Sequence, residues 1–162
     1  MRRIIRRREL VGDDARYAGE QGGPETRPVQ PVAEFLAALS AGQAAAPGAA
    51  ILIGPTDEVE SLAQHLALLS LIVVDFPKLG EGRGFSQARM LRQRYRYAGE
   101  LRARGMLKRD QLFFLARCGF DSFDLDPAED LEAALAHLND FSVAYQDGSD
   151  AVVHVRRRAE SA

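Results

Sequence analysis

The sequence predicts a single α/β domain of repeated βα units around a mainly parallel sheet, either open or resembling half of a (β/α)8 barrel. Three observations carry that prediction. The chain has 162 residues, the size of one ordinary domain, and can bury a core without disulfide or metal support. From residue 51 onward, short runs rich in Ile, Leu and Val alternate with stretches of helical spacing. Several of those stretches open on Ser, Asp or Pro, which suit a helix N-terminus.

At the start of the chain, Met1-Arg2-Arg3-Ile4-Ile5-Arg6-Arg7-Arg8 alternates basic and apolar residues. It reads as a short edge strand, because a secretory signal needs a longer apolar stretch and a small-residue cleavage site. Gly12 to Pro31 is rich in Gly, Pro and charge without periodicity, so a surface connection is expected. Val32, Phe35, Leu36 and Leu39 recur at helical spacing behind Pro31, which suits a first helical turn. Small residues from Ala41 to Ala50, including Pro47-Gly48, form a linker.

Ile51-Leu52-Ile53 is the first strand of the regular region. Asp57 with Glu60 then reads as a capping box for a helix whose buried stripe is Val59, Leu62, Ala63 and Leu66. Leu71-Ile72-Val73-Val74 continues into Asp75-Phe76 and is too apolar for a half-exposed strand, which suits a central parallel one. After the loop Pro77 to Phe85, Ser86 is the expected N-cap of a helix with Ala88, Leu91 and Tyr95 on its inner face. Gly99 to Ala103 is the next strand, and Lys108 to Cys118 the next helix, closed by Gly119 as a left-handed cap. Ser122 to Leu125 is a short strand, and Asp126-Pro127 opens a helix carrying Leu131, Ala134, Leu135 and Leu138. The chain thus divides into an N-terminal strand, loop and helix (1–50), a βα-repeat core (51–140) and a flexible tail (146–162).

Composition narrows the function classes. With 46% hydrophobic and 27% charged residues the chain is neither disordered nor a membrane protein, and no apolar run reaches the length of a membrane span. A single cysteine, Cys118, excludes an internal disulfide and cannot alone make a zinc or iron–sulfur site, which fits a reducing cytoplasm. Cys118 also falls at a helix C-terminus, where the dipole disfavours a thiolate. His65, His137 and His154 share no spacing, so no metal site is assigned.

Charge is balanced overall, at −2, but segregated along the chain. Lys78 to Arg117 holds 11 basic and 3 acidic side chains, whereas Cys118 to Asp150 holds 9 acidic ones and no Lys or Arg. Such blocks can pair with one another, with a second copy in a homo-oligomer, or with a charged partner.

Candidate functional residues follow from the rule that ligands meet an α/β sheet at the C-terminal ends of its strands. In this chain the rule selects Asp75, Lys78, Arg83, Arg102, Arg104, Asp124 and Asp126. The loop Phe76 to Ser86 carries Gly80, Gly82 and Gly84 at alternate positions, which let a backbone approach a ligand, and Lys78 and Arg83 stand beside it. Its spacing matches neither a dinucleotide fingerprint nor a P-loop, so neither a flavin nor a nicotinamide cofactor is implied. Arg89, Arg92 and Arg96 at i, i+3 and i+7 would share one helical face and could take phosphate, sulfate or an acidic protein surface. Tyr95 and Tyr97 lie among these cations without forming a nucleic-acid reader module. In Glu100-Leu101-Arg102-Ala103-Arg104 the charges alternate, so Arg102 points into the sheet face and demands a carboxylate from Asp75, Glu100 or Asp124.

The ordered run Phe76-Pro77-Lys78, Glu81-Gly82-Arg83-Gly84-Phe85-Ser86, Ala88-Arg89, Leu91-Arg92, Tyr97, Gly99-Glu100-Leu101-Arg102-Ala103, Gly105, Arg109-Asp110-Gln111 and Arg117-Cys118-Gly119-Phe120-Asp121 resembles a bacterial family of unknown function. Members of that family are often labelled probable oxidoreductases involved in sulfite reduction, and the likeness covers Leu71 to Leu125. One departure is Leu79-Gly80-Glu81, where the family has an aromatic residue followed by Thr or Ser and Asp. The resemblance implies a cytoplasmic protein of assimilatory sulfur metabolism, encoded beside haem-containing sulfite reductase, and brings no agreed catalytic residues.

The leading functional expectation is therefore an accessory protein of sulfite reduction. It would bind the reductase or a small sulfur oxyanion through Lys78, Arg83, Gly84, Ser86, Arg89, Arg92, Arg102 and Arg104. The alternatives are an enzyme gripping a phosphorylated or sulfated small molecule, with Asp75 or Asp124 as acid/base, and a self-associating structural protein.

Overall fold

The structure, a computed structural model, describes residues 2–78 and 80–140; the predicted tail at 146–162 lies outside the described residues. An N-terminal hairpin comes first, with β1 (Arg3–Arg6) and β2 (Glu9–Gly12) joined by a two-residue turn. Both turn residues are left-handed, Arg7 at φ 50° and Arg8 at φ 63°, the geometry that matches strand twist but normally selects Asn or Gly. Arg8 is held there by donating to the carbonyl of Leu138 at 2.9 Å, near the end of the last described helix. Short strands β3 (Ala15–Arg16) and β4 (Arg27–Pro31) precede α1 (Val32–Ser40) and β5 (Ala49–Ile53). Two 3₁₀ turns, Val59–Leu62 and Leu66–Leu68, lead into the longest strand, β6 (Leu69–Phe76). Then come α2 (Arg83–Arg89), a π turn (Met90–Arg94), β7 (Glu100–Gly105), a 3₁₀ turn (Arg109–Gln111), α3 (Leu112–Cys118), β8 (Ser122–Asp124) and α4 (Leu131–Asp140).

The eight strands of the described residues form one curled, half-barrel sheet in the order β2-β1-β8-β7-β6-β5-β4-β3. Strands β3 to β8 pair in parallel, whereas β1 runs antiparallel to both β2 and β8. The sheet is therefore mixed, not the mainly parallel one expected. The cause is local: a two-residue connection can only return the chain antiparallel, and the hairpin docks as a unit beside β8. For the same reason the first strand is not at the edge, since β2 lies outside it.

The expected repetition of βα units also fails after β5. Asp57 does not cap a helix; its carboxylate accepts the Gly54 N–H at 2.7 Å and closes a tight turn, and only 3₁₀ turns come after it before β6. The Gln87 amide then pins this turn by donating to the carbonyls of Gly54 and Asp57, each at 2.9 Å. The segment expected to be a plain surface connection, 12–31, contains two strands and buries Asp13, Ala15, Tyr17 and Val29.

Strand alternation gives the sheet two different faces. On one, Ile5, Ile51, Ile53, Ile72, Val74, Leu101, Ala103 and Phe123 meet Phe35, Leu62, Leu91, Leu112, Leu115 and Leu138 in the main core. Each of these side chains larger than alanine contributes about 1.5–3 kcal/mol by burial. On the other face, free of helices among the described residues, a smaller cluster of Ala15, Tyr17, Val29, Ala50, Leu71 and Val73 lies beside a row of charged residues. No described helix is long and apolar enough to cross a membrane.

Candidate functional site

Register places the charged residues of the helix-free face. Val73 pairs with Arg102 and Arg102 with Ser122; one step toward the C-terminal ends, Asp75 pairs with Arg104 and Arg104 with Asp124. Two rows result, with an arginine at the centre of each.

Arg102 is fully buried, and each of its three side-chain nitrogens is engaged. It donates to Asp13 at 2.7 Å and to Glu100 at 2.7 Å and 3.2 Å, with Tyr17 and Ser122 oxygens at 3.4 Å. Of the three carboxylates expected to satisfy it, only Glu100 does so; the second is Asp13, 89 residues away along the chain. Burial alone would raise the Asp13 carboxyl, but Arg102, the Ala15 N–H and Arg2 hold it below its usual value. Glu100 is lowered likewise: burial works against Arg102, the Ser122 hydroxyl and Arg6, and the partners win.

Arg104 is held differently. Its Nε donates to Asp124 at 3.2 Å and its guanidinium stacks 3.8 Å from the Tyr17 ring centroid, while Arg2 approaches the same ring at 4.9 Å. Burial raises the Asp124 carboxyl despite Arg2 and Arg104, and raises Asp75 against the opposition of Arg104. A cleft of about 580 Å³ opens where Arg104 and Asp124 meet the ends of β6, β7 and β8. Among the described residues no group of three or more His, Cys, Asp or Glu could hold a metal ion.

The basic helix is not the row of cations that a 3.6-residue period predicts. After Arg89 the chain widens into the π turn, closed by the Tyr95 N–H on the Met90 carbonyl at 3.1 Å, and Arg96 leaves the helix at φ 55°. Arg92 is turned inward, donating to the carbonyls of Gly119 (2.9 Å), Tyr97 (2.6 Å) and Gly99 (2.8 Å) and to Asp121 (3.2 Å). It is a latch between the loop after the π turn and the start of β8. Arg92→Ala is expected to cost about 2 kcal/mol in urea denaturation, because three carbonyls and a carboxylate lose their donor; an unchanged midpoint would show that water replaces it.

Ser86 does not cap the helix, which starts at Arg83; it is a residue within α2. Gly84 is buried against Phe76, where a Cβ would come within 2.5 Å of the ring, so its missing side chain serves packing. Lys78, Arg83 and Arg89 are exposed. Arg89 lies 5.7 Å from the ring of Phe114, which is 46% exposed despite its size. Phe114 contacts Phe85 at 5.0 Å, Phe85 contacts Phe76 at 5.4 Å, and Phe76 contacts Phe120 at 5.9 Å. A continuous run of rings therefore leads from the core to the surface beside the exposed cations.

Asp13, Tyr17, Arg2 and Phe114 were not among the residues singled out by sequence. Phe114 had a legible signal, being an apolar residue off the Leu112–Leu115–Cys118 stripe of α3; the other three had none.

The model of a family described as bacterial protein of unknown function (DUF934) matches residues 50–155. No curated protein and no solved structure matches the chain.

Proposed function

This chain belongs to that bacterial family of unknown function, and we propose that it is an accessory protein of assimilatory sulfite reduction that docks on sulfite reductase through the α2–α3 face. The observation that carries the docking is Phe114, an exposed ring fixed by Phe85 and flanked by Arg89. Exposed aromatic and arginine side chains held in place before binding are what interface hot spots are made of. Lys78 and Arg83, also exposed, add positive charge that would steer an acidic partner surface. The reductase as partner rests on the resemblance of residues 71–125 to proteins encoded beside it.

A protein surface suits this face better than a free sulfur oxyanion. Stripping water from a small dianion needs donors converging on it, whereas these cations stand on an open helix face beside a hydrophobic ring. The enzyme alternative is less favoured, because Arg102 is buried with every nitrogen engaged while Lys78 and Arg83 are exposed.

The test is equilibrium binding of the full chain to purified sulfite reductase from the same host. Salt-sensitive binding is expected, weakened roughly thirtyfold by Arg89→Glu combined with Phe114→Ser. Failure of the wild type to bind, or equal binding by the double variant, would reject the docking. Self-association through the same face, seen in sedimentation and abolished by the same variant, would put a second copy in the reductase's place.

A further inference from the structure

The cleft at the strand ends is separate from the docking face and has a chemistry of its own. Its volume of about 580 Å³ lies within the range of small-molecule sites, roughly 300–1,000 Å³, and far exceeds what one tetrahedral oxyanion fills. Its charges balance, Arg2, Arg3 and Arg104 against Asp124, Asp126 and Glu129. An unshielded dianion would meet as many carboxylates as cations there. Phe76, Met106 and Leu131 supply apolar wall between the charges.

The charged groups differ in what they have left to offer. Arg2 is spent on Asp13, Glu20 and the Ala15 carbonyl. Arg104 has only its Nε engaged; its terminal nitrogens have no hydrogen-bond partner among the described residues. Asp126 uses one oxygen, accepting the Ala128 N–H at 2.9 Å, and the other has no partner among the described residues. A free donor fork and a free carboxylate oxygen thus share one partly apolar cleft.

We infer that this cleft binds a small zwitterion of the α-amino-acid class, its carboxylate on Arg104, its ammonium on Asp126 and an apolar side chain against Phe76, Met106 and Leu131. A bidentate carboxylate is the natural mate of a guanidinium whose two outer nitrogens are open. Asp75 and Asp124 flank Arg104 in register. Burial raises both carboxyls from their usual values despite the opposing charge of Arg104.

Nuclear magnetic resonance titration of the full ¹⁵N-labelled chain tests this with L-methionine, N-acetyl-L-methionine, L-methioninamide and sulfate. Free L-methionine should give saturable shifts at Gly105, Met106 and Asp126. The acetylated and amidated forms, each lacking one charge, should bind at least about tenfold more weakly. Asp126→Asn, which keeps the acceptor for the Ala128 N–H, should weaken L-methionine by a similar factor and leave the acetylated form unchanged. The inference is overturned if sulfate or either blocked form binds as well as the free amino acid. It is equally overturned if the shifts map elsewhere, or if no probe saturates at millimolar concentration. Arg104, Met106, Asp126 and Leu131 have no part in the Phe85–Arg89–Phe114 face, and Phe76 reaches it only as the ring behind Phe85, so a failure here leaves the docking untouched, and the reverse also holds.

Discussion

Arg102→Met is expected to lower the unfolding free energy by about 3–5 kcal/mol, because it strands two carboxylates in a place they occupy only with a counter-charge. Asp13 and Arg102 both have side chains with no solvent exposure, and the Glu100 side chain has 13%. After the substitution Asp13 keeps Arg2 at 2.6 Å, and Glu100 keeps the neutral Ser122 hydroxyl at 2.8 Å and, as counter-charges, the looser Arg6 and Arg27 at 3.4 Å and 3.6 Å. Neutralising the stranded acids as well, with Asp13→Asn and Glu100→Gln, should recover part of the loss, since an unpaired buried charge costs more than an absent pair.

The pH dependence of that difference is set by the direction of the shifts. Asp13 and Glu100 titrate below their unfolded values in the wild type. Their contribution is therefore complete above the unfolded values and lost as pH falls through the folded ones. The gap between wild type and Arg102→Met should accordingly be widest near neutrality and shrink below about pH 4, where the carboxyls protonate and need no partner. Asp75, Asp121 and Asp124 act in the opposite sense, being raised by burial and costing stability as pH rises through their folded values. Arg102 is not among the charges that shift Asp75 or Asp121, and for Asp124 it is the smallest of those that oppose burial, so these three change the difference little. A gap that stays constant from pH 7 to about pH 3 would show that Arg102 acts through packing alone.

How much of this was legible in the sequence depends on the range of the interaction. Leu71 to Phe76 as a central strand, Gly119 as a left-handed cap and Ser122 to Leu125 as a short strand rest on local pattern; the structure has the first within Leu69–Phe76, the cap at φ 109° and the last over Ser122–Asp124. The need of Arg102 for a carboxylate was also readable, because charge alternates with apolar residues through Glu100 to Arg104. The identity of Asp13 was not. It sits in a stretch without periodicity, and its burial is made by polar contacts across the sheet that no local window contains. Arg92 was misplaced for a different reason: helical spacing assumes 3.6 residues per turn, and the π turn after Arg89 shifts the direction of each side chain beyond it.

Glycines show the same division, and they carry the second large effect. The loop Gly80, Gly82 and Gly84 draws the eye, yet a Cβ at Gly82 meets nothing within 4 Å, and one at Gly80 meets nothing either, leaving only its φ of 80° as a source of strain. Gly105 is the demanding position. It ends β7 at φ 124°, opposite Phe76 in the ladder, and a Cβ there would overlap the Phe76 carbonyl and its neighbours on the backbone. That carbonyl already accepts the Met106 N–H at 2.9 Å, so it cannot retreat without losing the bond that closes β6 against β7. Gly105→Ala is expected to cost about 2–4 kcal/mol from backbone strain and displacement together. Gly80→Ala should cost about 1 kcal/mol, for the left-handed φ alone. Gly82→Ala should be near neutral or slightly stabilising, because it restricts only the unfolded chain. Urea midpoints of the three variants decide the matter. If Gly105→Ala unfolds with the wild type, the close approach of β6 and β7 is softer than its geometry implies, and the cleft that those two strand ends frame is not rigidly formed.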